Sequence, residues 1–208
     1  RMALTTVRST GISSLPAISG ANLTGITAGI TEVDSFRLND DESVNGTTFL
    51  SDYERDDSNF SKIGTGLTES GGVFTFPSTG IYLIQAYFLY SAAGNDAVYC
   101  GGEIYTTTDN SNYSADVEAY SFIYNGMSGA TEHSSASMTT VFDVTNTTTH
   151  KFKLRAATSA AVTLKGNSTI NKTHLVCYRL GDTWLILNVN VKKMSAIVNE
   201  EKFITSIF

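Results

Sequence analysis

One run, Gly80-Ile-Tyr-Leu-Ile-Gln-Ala-Tyr-Phe-Leu-Tyr90, constrains the fold of this 208-residue chain more than any other. In an extended strand successive side chains point to opposite faces. Both faces of this run are apolar: Ile81, Leu83, Tyr87 and Leu89 form one, and Tyr82, Ile84, Phe88 and Tyr90 the other. An antiparallel sandwich packs one face of each strand on its core and leaves the second toward water. A contiguous apolar second face therefore needs another layer or another subunit. Each large apolar side chain contributes about 1.5–3 kcal/mol when buried, so several per subunit are enough to hold an oligomer together. No segment of the chain's middle repeats apolar residues at i, i+3, i+4 and i+7, so no helix is available as a third layer. A subunit interface is the expected cover.

The rest of the central region reads as short strands between turn clusters. Strands are expected near residues 47–53, 73–76, 80–90, 97–107, 117–124, 137–144, 150–156, 161–164 and 173–180, a spacing typical of an all-β sandwich. Period-two alternation is cleanest in His150-Lys-Phe-Lys-Leu-Arg-Ala, where Phe152, Leu154 and Ala156 face inward and Lys151, Lys153 and Arg155 face water. Met138, Phe142 and Val144 form the inward set of the preceding strand.

Composition agrees with a β-rich, turn-rich protein and removes several function classes. Ser and Thr number 23 and 28, with 17 Gly, and charged residues are only 16%, against about 25% in average domains. With 41% hydrophobic residues, 11 Phe and 10 Tyr, the chain is too apolar for general disorder. A net charge of -6 gives no basic footprint for nucleic acid. No apolar run approaches the roughly 20 residues of a membrane-spanning helix, so membrane insertion is not expected. Residues 1–20 lack the apolar core of a secretory signal peptide. Cys100 and Cys177 have no metal or redox spacing and are expected as core thiols, a single inter-strand disulfide being the alternative.

The flanks differ from the centre. Residues 1–44 carry many small residues, with glycines at 11, 20, 25 and 29, and lack the bulk for a core of their own. They are expected to form an extended attachment segment lying on other chains. Residues 183–208, beginning near Trp184, are rich enough in apolar side chains to dock on a neighbour. Asn110, Asn112, Tyr113, Tyr124 and Asn125 lie in Tyr-, Asn-, Ser- and Gly-rich loops, a composition suited to adaptable contact surfaces. They are the candidate surface-binding residues.

Other chemistry finds little support. Gly126-Met-Ser-Gly129 is not a nucleophile elbow, and His133, His150 and His174 have no zinc spacing. The acids at 40–42, 54, 56–57 and 109 match no calcium loop and are expected to be solvated. Gly64-Thr-Gly66-Leu-Thr-Glu69 lacks the last glycine and the helix of a dinucleotide site. Seven Asn-x-Ser/Thr sequons follow from composition and matter only on a eukaryotic secretory route. No catalytic, cofactor or metal residues are assigned.

The run from Ile63 to Ile84 resembles the signature of the globular head of complement subcomponent q, within the tumour-necrosis-factor-like superfamily. The matching positions are Gly72, Phe74, Phe76, Pro77, Gly80, Tyr82 and Phe88. Thr48-Phe-Leu with Tyr53 resembles the family's first strand, and Thr173-His-Leu-Val-Cys-Tyr-Arg-Leu its closing strand. The resemblance covers residues 45–182. It implies a ten-stranded jelly roll assembled as a homotrimer, with the long strand and its neighbours along the threefold axis. Residues 2–27 resemble the opening segment of bacteriophage tail-fibre or head-fibre proteins, with neither collagen stalk nor signal peptide. The resulting expectation is a non-enzymatic virion structural protein, a fibre or a capsid or tail decoration. Residues 1–44 and 183–208 would contact other virion proteins, and the head at 45–182 would meet a glycan or protein of the host surface. The alternatives are a secreted, extracellular recognition module and a polysaccharide depolymerase, the last of which needs paired carboxylates in a cleft.

Overall fold

The computed structural model describes residues 29–58, 60–92, 94–124 and 131–183. Among them it contains twelve strands and no helix: β1 Val33–Leu38, β2 Glu42–Phe49, β3 Tyr53–Arg55, β4 Lys62–Ile63, β5 Thr68–Ser70, β6 Val73–Thr75, β7 Gly80–Ala92, β8 Ala97–Thr107, β9 Ser114–Ile123, β10 Glu132–Val144, β11 Lys151–Leu164 and β12 His174–Gly181. This exceeds the ten strands implied by the resemblance, and four of the twelve, β3 to β6, are only two or three residues long. The segments expected at 150–156 and 161–164 are one strand, β11, whose pairing with β2 shifts register between Thr158 and Val162.

The strands form two packed layers. One runs β3-β1-β12-β7-β10, with β7 antiparallel to β12 and β10. The other runs β2-β11-β8-β9. They join at one corner where Ser91 and Tyr90 of β7 pair with Thr163 and Leu164 of β11.

Between the layers, Tyr82, Ile84, Phe88 and Tyr90 of β7 face Phe152, Leu154, Ile104, Phe74 and Leu164, all essentially inaccessible. Phe74 and Phe152 stack with centroids 4.8 Å apart. Met138 and Val144 are buried as the alternation predicts, while Phe142 is half-buried against the core edge. Gly102 admits the ring of Phe88, since an added Cβ would lie 2.6 Å from Cζ. The Tyr90 hydroxyl donates to the Gly101 carbonyl across the sandwich. That bond satisfies the one polar atom of an otherwise apolar side chain.

Both cysteines are buried free thiols. Cys100 lies on β8 and Cys177 on β12, and burial raises both thiols above their ordinary value.

The boundary expected at residue 44 falls inside the sheet. All six residues of β1 are buried, and Val33–Arg37 pair with β12. The charged residues that hid this strand in the sequence are internally neutralised. Asp34 takes hydrogen bonds from Arg55 Nε at 3.0 Å and from the Leu67 backbone N–H at 2.7 Å. Arg37, with no exposed surface, contacts Glu54 at 2.7 Å, Asp56 at 3.1 Å and Asp57 at 2.7 Å. Burial alone would lower its pKa, but the hydrogen bonds with Glu54 and Asp57 outweigh that and raise it. Of the acids expected to be solvated, Glu54 and Asp56 are thus built into a structural ion-pair cluster. Residues 1–28 and 184–208, most of the proposed attachment and docking segments, lie outside the described residues.

Candidate functional site

The second face of β7 stays partly open. Ile81, Leu83, Tyr87 and Leu89 are half-buried, whereas Tyr82, Ile84, Phe88 and Tyr90 are in the core. The structure therefore divides the eight candidate residues of this strand cleanly between two environments. Leu83 sits between Val141 of β10 and Tyr178 of β12. Val141 is 57% exposed. Val176 lies beside Gln85, and the rings of Tyr87 and His174 are 5.4 Å apart. Ser135, Ser137 and Thr139 of β10 fill the remaining positions with small side chains. The outcome is a surface apolar at its centre and free of charge at the Leu83-Val141-Tyr178 row.

The outer face of the other layer is aromatic and charged. Thr47, Ala157, Gly101 and Tyr120 lie in one row across its four strands, and Phe49, Arg155, Glu103 and Glu118 in the next. Glu103, though buried, accepts from Arg155 Nε at 2.6 Å and from the Tyr120 hydroxyl at 2.7 Å. Burial alone would raise its carboxyl, but hydrogen bonds from Arg155, Tyr120 and Tyr105 outweigh burial and hold it below its ordinary value. The same carboxylate, after burial, pushes the Tyr120 hydroxyl up. Tyr99 meets Tyr120 edge to face at 5.5 Å, and Phe49 meets Tyr105 likewise at 5.1 Å. Lys153 places its ammonium 3.8 Å from the Phe49 ring centre and 4.2 Å from that of Tyr113. Lys151, Lys153 and Arg155 do lie on the outward face, half-buried, with Lys153 and Arg155 against these rings.

The loop candidates separate. Tyr113 joins this face through Lys153. Asn110 takes a left-handed conformation with φ 62° and donates its N–H to the Thr149 carbonyl. The Asn112 side chain donates to Asp109 at 2.6 Å, closing the turn. These two asparagines shape the loop that presents Tyr113. Tyr124, 68% exposed, lies apart from them beside Phe122 and Val98. Asn125 lies outside the described residues. Tyr99, Tyr105, Tyr120 and Phe49 were not singled out from the sequence. The available signal was Glu118-Ala-Tyr-Ser-Phe-Ile-Tyr124, in which Glu118, Tyr120, Phe122 and Tyr124 alternate onto one face.

Among the described residues no group of three or more His, Cys, Asp or Glu is arranged to hold a metal ion, and no helix is long and apolar enough to cross a membrane.

Solved structures resemble this arrangement. Eiger TNF from S. frugiperda is 12% identical, matches 75% of this chain and 96% of its own, and superposes with a TM-score of 0.55. Murine APRIL at pH 5.0 is 15% identical over 72% of this chain and 98% of its own, with a TM-score of 0.53. The fold is a tumour-necrosis-factor-like jelly roll. No family model and no curated protein matches the sequence.

Proposed function

We propose that this chain is a non-enzymatic jelly-roll head that assembles as a homotrimer through the outer face of β12, β7 and β10. The carrying observation is the uncharged row Leu83-Val141-Tyr178 on a strand whose other face already fills the core. The tumour-necrosis-factor-like fold supports the same reading. Residues preceding β1 would attach the trimer to a larger structure. Their resemblance to bacteriophage fibre openings favours a virion, with the head turned toward the host surface. A secreted recognition module is the second reading, favoured by the extracellular setting in which this fold is used.

Light scattering on the purified protein tests the assembly: the expected mass is three times the 22.4 kDa of the chain, and a 22.4 kDa particle would overturn it. Mass spectrometry of purified phage particles tests the location. Peptides of this chain at stoichiometric abundance support a virion component, and their absence overturns it.

A further inference from the structure

The layer opposite the assembly face carries an open depression of ≈ 360 Å³ lined by Thr47, Tyr99, Glu103, Tyr120 and Ala157. Its size falls at the lower end of ligand pockets, roughly 300–1,000 Å³. Tyr99 and Tyr120 expose 41% and 42% of their surface and pack edge to face against each other. Tyr120 is anchored by its hydroxyl to Glu103, with Glu118 3.4 Å away. Its ring lies over Gly101, where an added Cβ would come within 2.8 Å of Cδ1 and 2.0 Å of the Ala119 carbonyl oxygen. Two exposed aromatic rings are thus fixed around a floor of small residues. A ligand stacking on them meets side chains that are already ordered, which lowers the entropic cost of binding.

The polar groups narrow the ligand. Glu103 is already ion-paired with Arg155 and accepts from the Tyr120 hydroxyl, so it fixes that hydroxyl, whose oxygen can still accept, and adds no uncompensated charge. Glu118 lies directly opposite on β9, and Thr47 adds a hydroxyl at the far side. The depression combines apolar ring surface with acceptors for hydroxyl donors, and the exposed Glu118 carboxylate at its margin disfavours an anion. A pyranose presents an apolar C–H face and a rim of hydroxyl groups in this relation. Stacking and hydroxyl-to-carboxylate bonding together select for a sugar with no acidic substituent.

We infer that this depression is a subsite for a neutral hexose of a surface glycan. The aromatic row continues past it through Phe49, Tyr105 and Tyr113. From Ala157 to Lys153 along β11 the distance is about 13 Å at roughly 3.3 Å per residue, room for further sugar units beside the first. A single chain builds the site on the layer facing away from the proposed interface, so it stands or falls separately from trimer formation.

Saturation-transfer NMR on the full protein tests it, with methyl α-glucoside, methyl α-mannoside, methyl β-galactoside and methyl β-glucuronide as probes. At least one neutral hexoside at millimolar concentration should receive saturation, and the glucuronide should not. Tyr99→Ala and Tyr120→Ala should each weaken that binding by about tenfold, equivalent to about 1.4 kcal/mol, with native mass unchanged. Tyr99 makes no side-chain bond needed for the fold, so its variant keeps the test valid if Tyr120→Ala unfolds. No saturation of any neutral hexoside, preference for the glucuronide, or binding that survives the Tyr99 substitution would each overturn the inference.

Discussion

Replacing adjacent residues of β7 by aspartate should produce two opposite failures. Tyr82 is 1% exposed, its ring packs 4.6 Å from that of Phe76, and its hydroxyl donates to the Ser78 carbonyl. Truncating a buried aromatic side chain costs about 3–5 kcal/mol, and an unpaired carboxylate in its place adds a further desolvation cost. Domains of this kind have only about 5–15 kcal/mol of stability, so Tyr82→Asp should not fold. Leu83 points the other way, between Val141 and Tyr178. Leu83 is already half-buried in the single subunit, so Leu83→Asp removes about 0.7–1.5 kcal/mol of interface burial per subunit. Over three subunits the assembly constant should fall by about one and a half to three powers of ten, at about 1.4 kcal/mol per tenfold. The carboxylates would oppose assembly further. Circular dichroism with light scattering should therefore show Leu83→Asp as a folded monomer and Tyr82→Asp as unfolded. Two variants that both retain the wild-type mass, or a folded Tyr82→Asp, would refute the division of this strand into core and interface faces.

Three further outcomes follow from the ionisable and thiol groups. Arg37→Met should lower unfolding stability by about 3–5 kcal/mol in urea titration, because Glu54 and Asp56 lose the buried guanidinium that they contact; a loss below about 1 kcal/mol would show that the cluster contributes little. Glu103 in the folded protein lies below its ordinary 4.5, so the unfolded chain takes up its proton first as pH falls. The stabilisation is whole above that value and is lost as pH drops through the lower folded pKa. The urea midpoint should decline on acidification through this range, and Glu103→Gln should be both weaker at neutral pH and flatter in its acid dependence. Cys100 and Cys177 should resist a thiol reagent in the native protein and react together on unfolding, since burial disfavours both thiolates; rapid native labelling would contradict their core placement.

Strand pattern and fold class were legible because period-two alternation is a local property. The long strand of residues 80–90, Met138 and Val144, and the Phe152-Leu154-Ala156 face occupy the expected structural class, while Phe142 reaches only the core edge. β1 was not legible. Val-Asp-Ser-Phe-Arg-Leu has no apolar face of its own, and its burial depends on Glu54, Asp56, Asp57 and Arg55, which arrive from later in the chain. The ionisable residues that look like solvent markers are partners of one another, which only the tertiary structure shows. The strand over 150–156 was cut short for a related reason. Thr158-Ser-Ala-Ala161 carries little bulk, yet β11 continues through it across a register shift.

The aromatic face was partly legible. Tyr113 was singled out, but as a loop residue free to adapt, whereas it sits against Lys153 at the margin of a sheet. Tyr99, Tyr105 and Tyr120 occur on strands, where an aromatic residue ordinarily signals core. Alternation assigns such residues to a common face without saying whether that face is covered. Which side of β8 and β9 looks outward is decided by the small residues Gly101 and Gly102, one under Tyr120 and the other under Phe88.

The central claim is that the Leu83-Val141-Tyr178 row is hidden between copies of this chain. Val141, 57% exposed in the single subunit, lies at the β10 end of that row beside Leu83, and Val141→Cys changes its volume little. Its maleimide-labelling rate in the folded protein, with both natural thiols buried, measures the claim most directly. Strong protection is expected at concentrations where the particle has three subunits, and rapid labelling once Leu83→Asp is added. Rapid labelling of an intact three-subunit particle would contradict it, because the subunits would then be joined through some other surface.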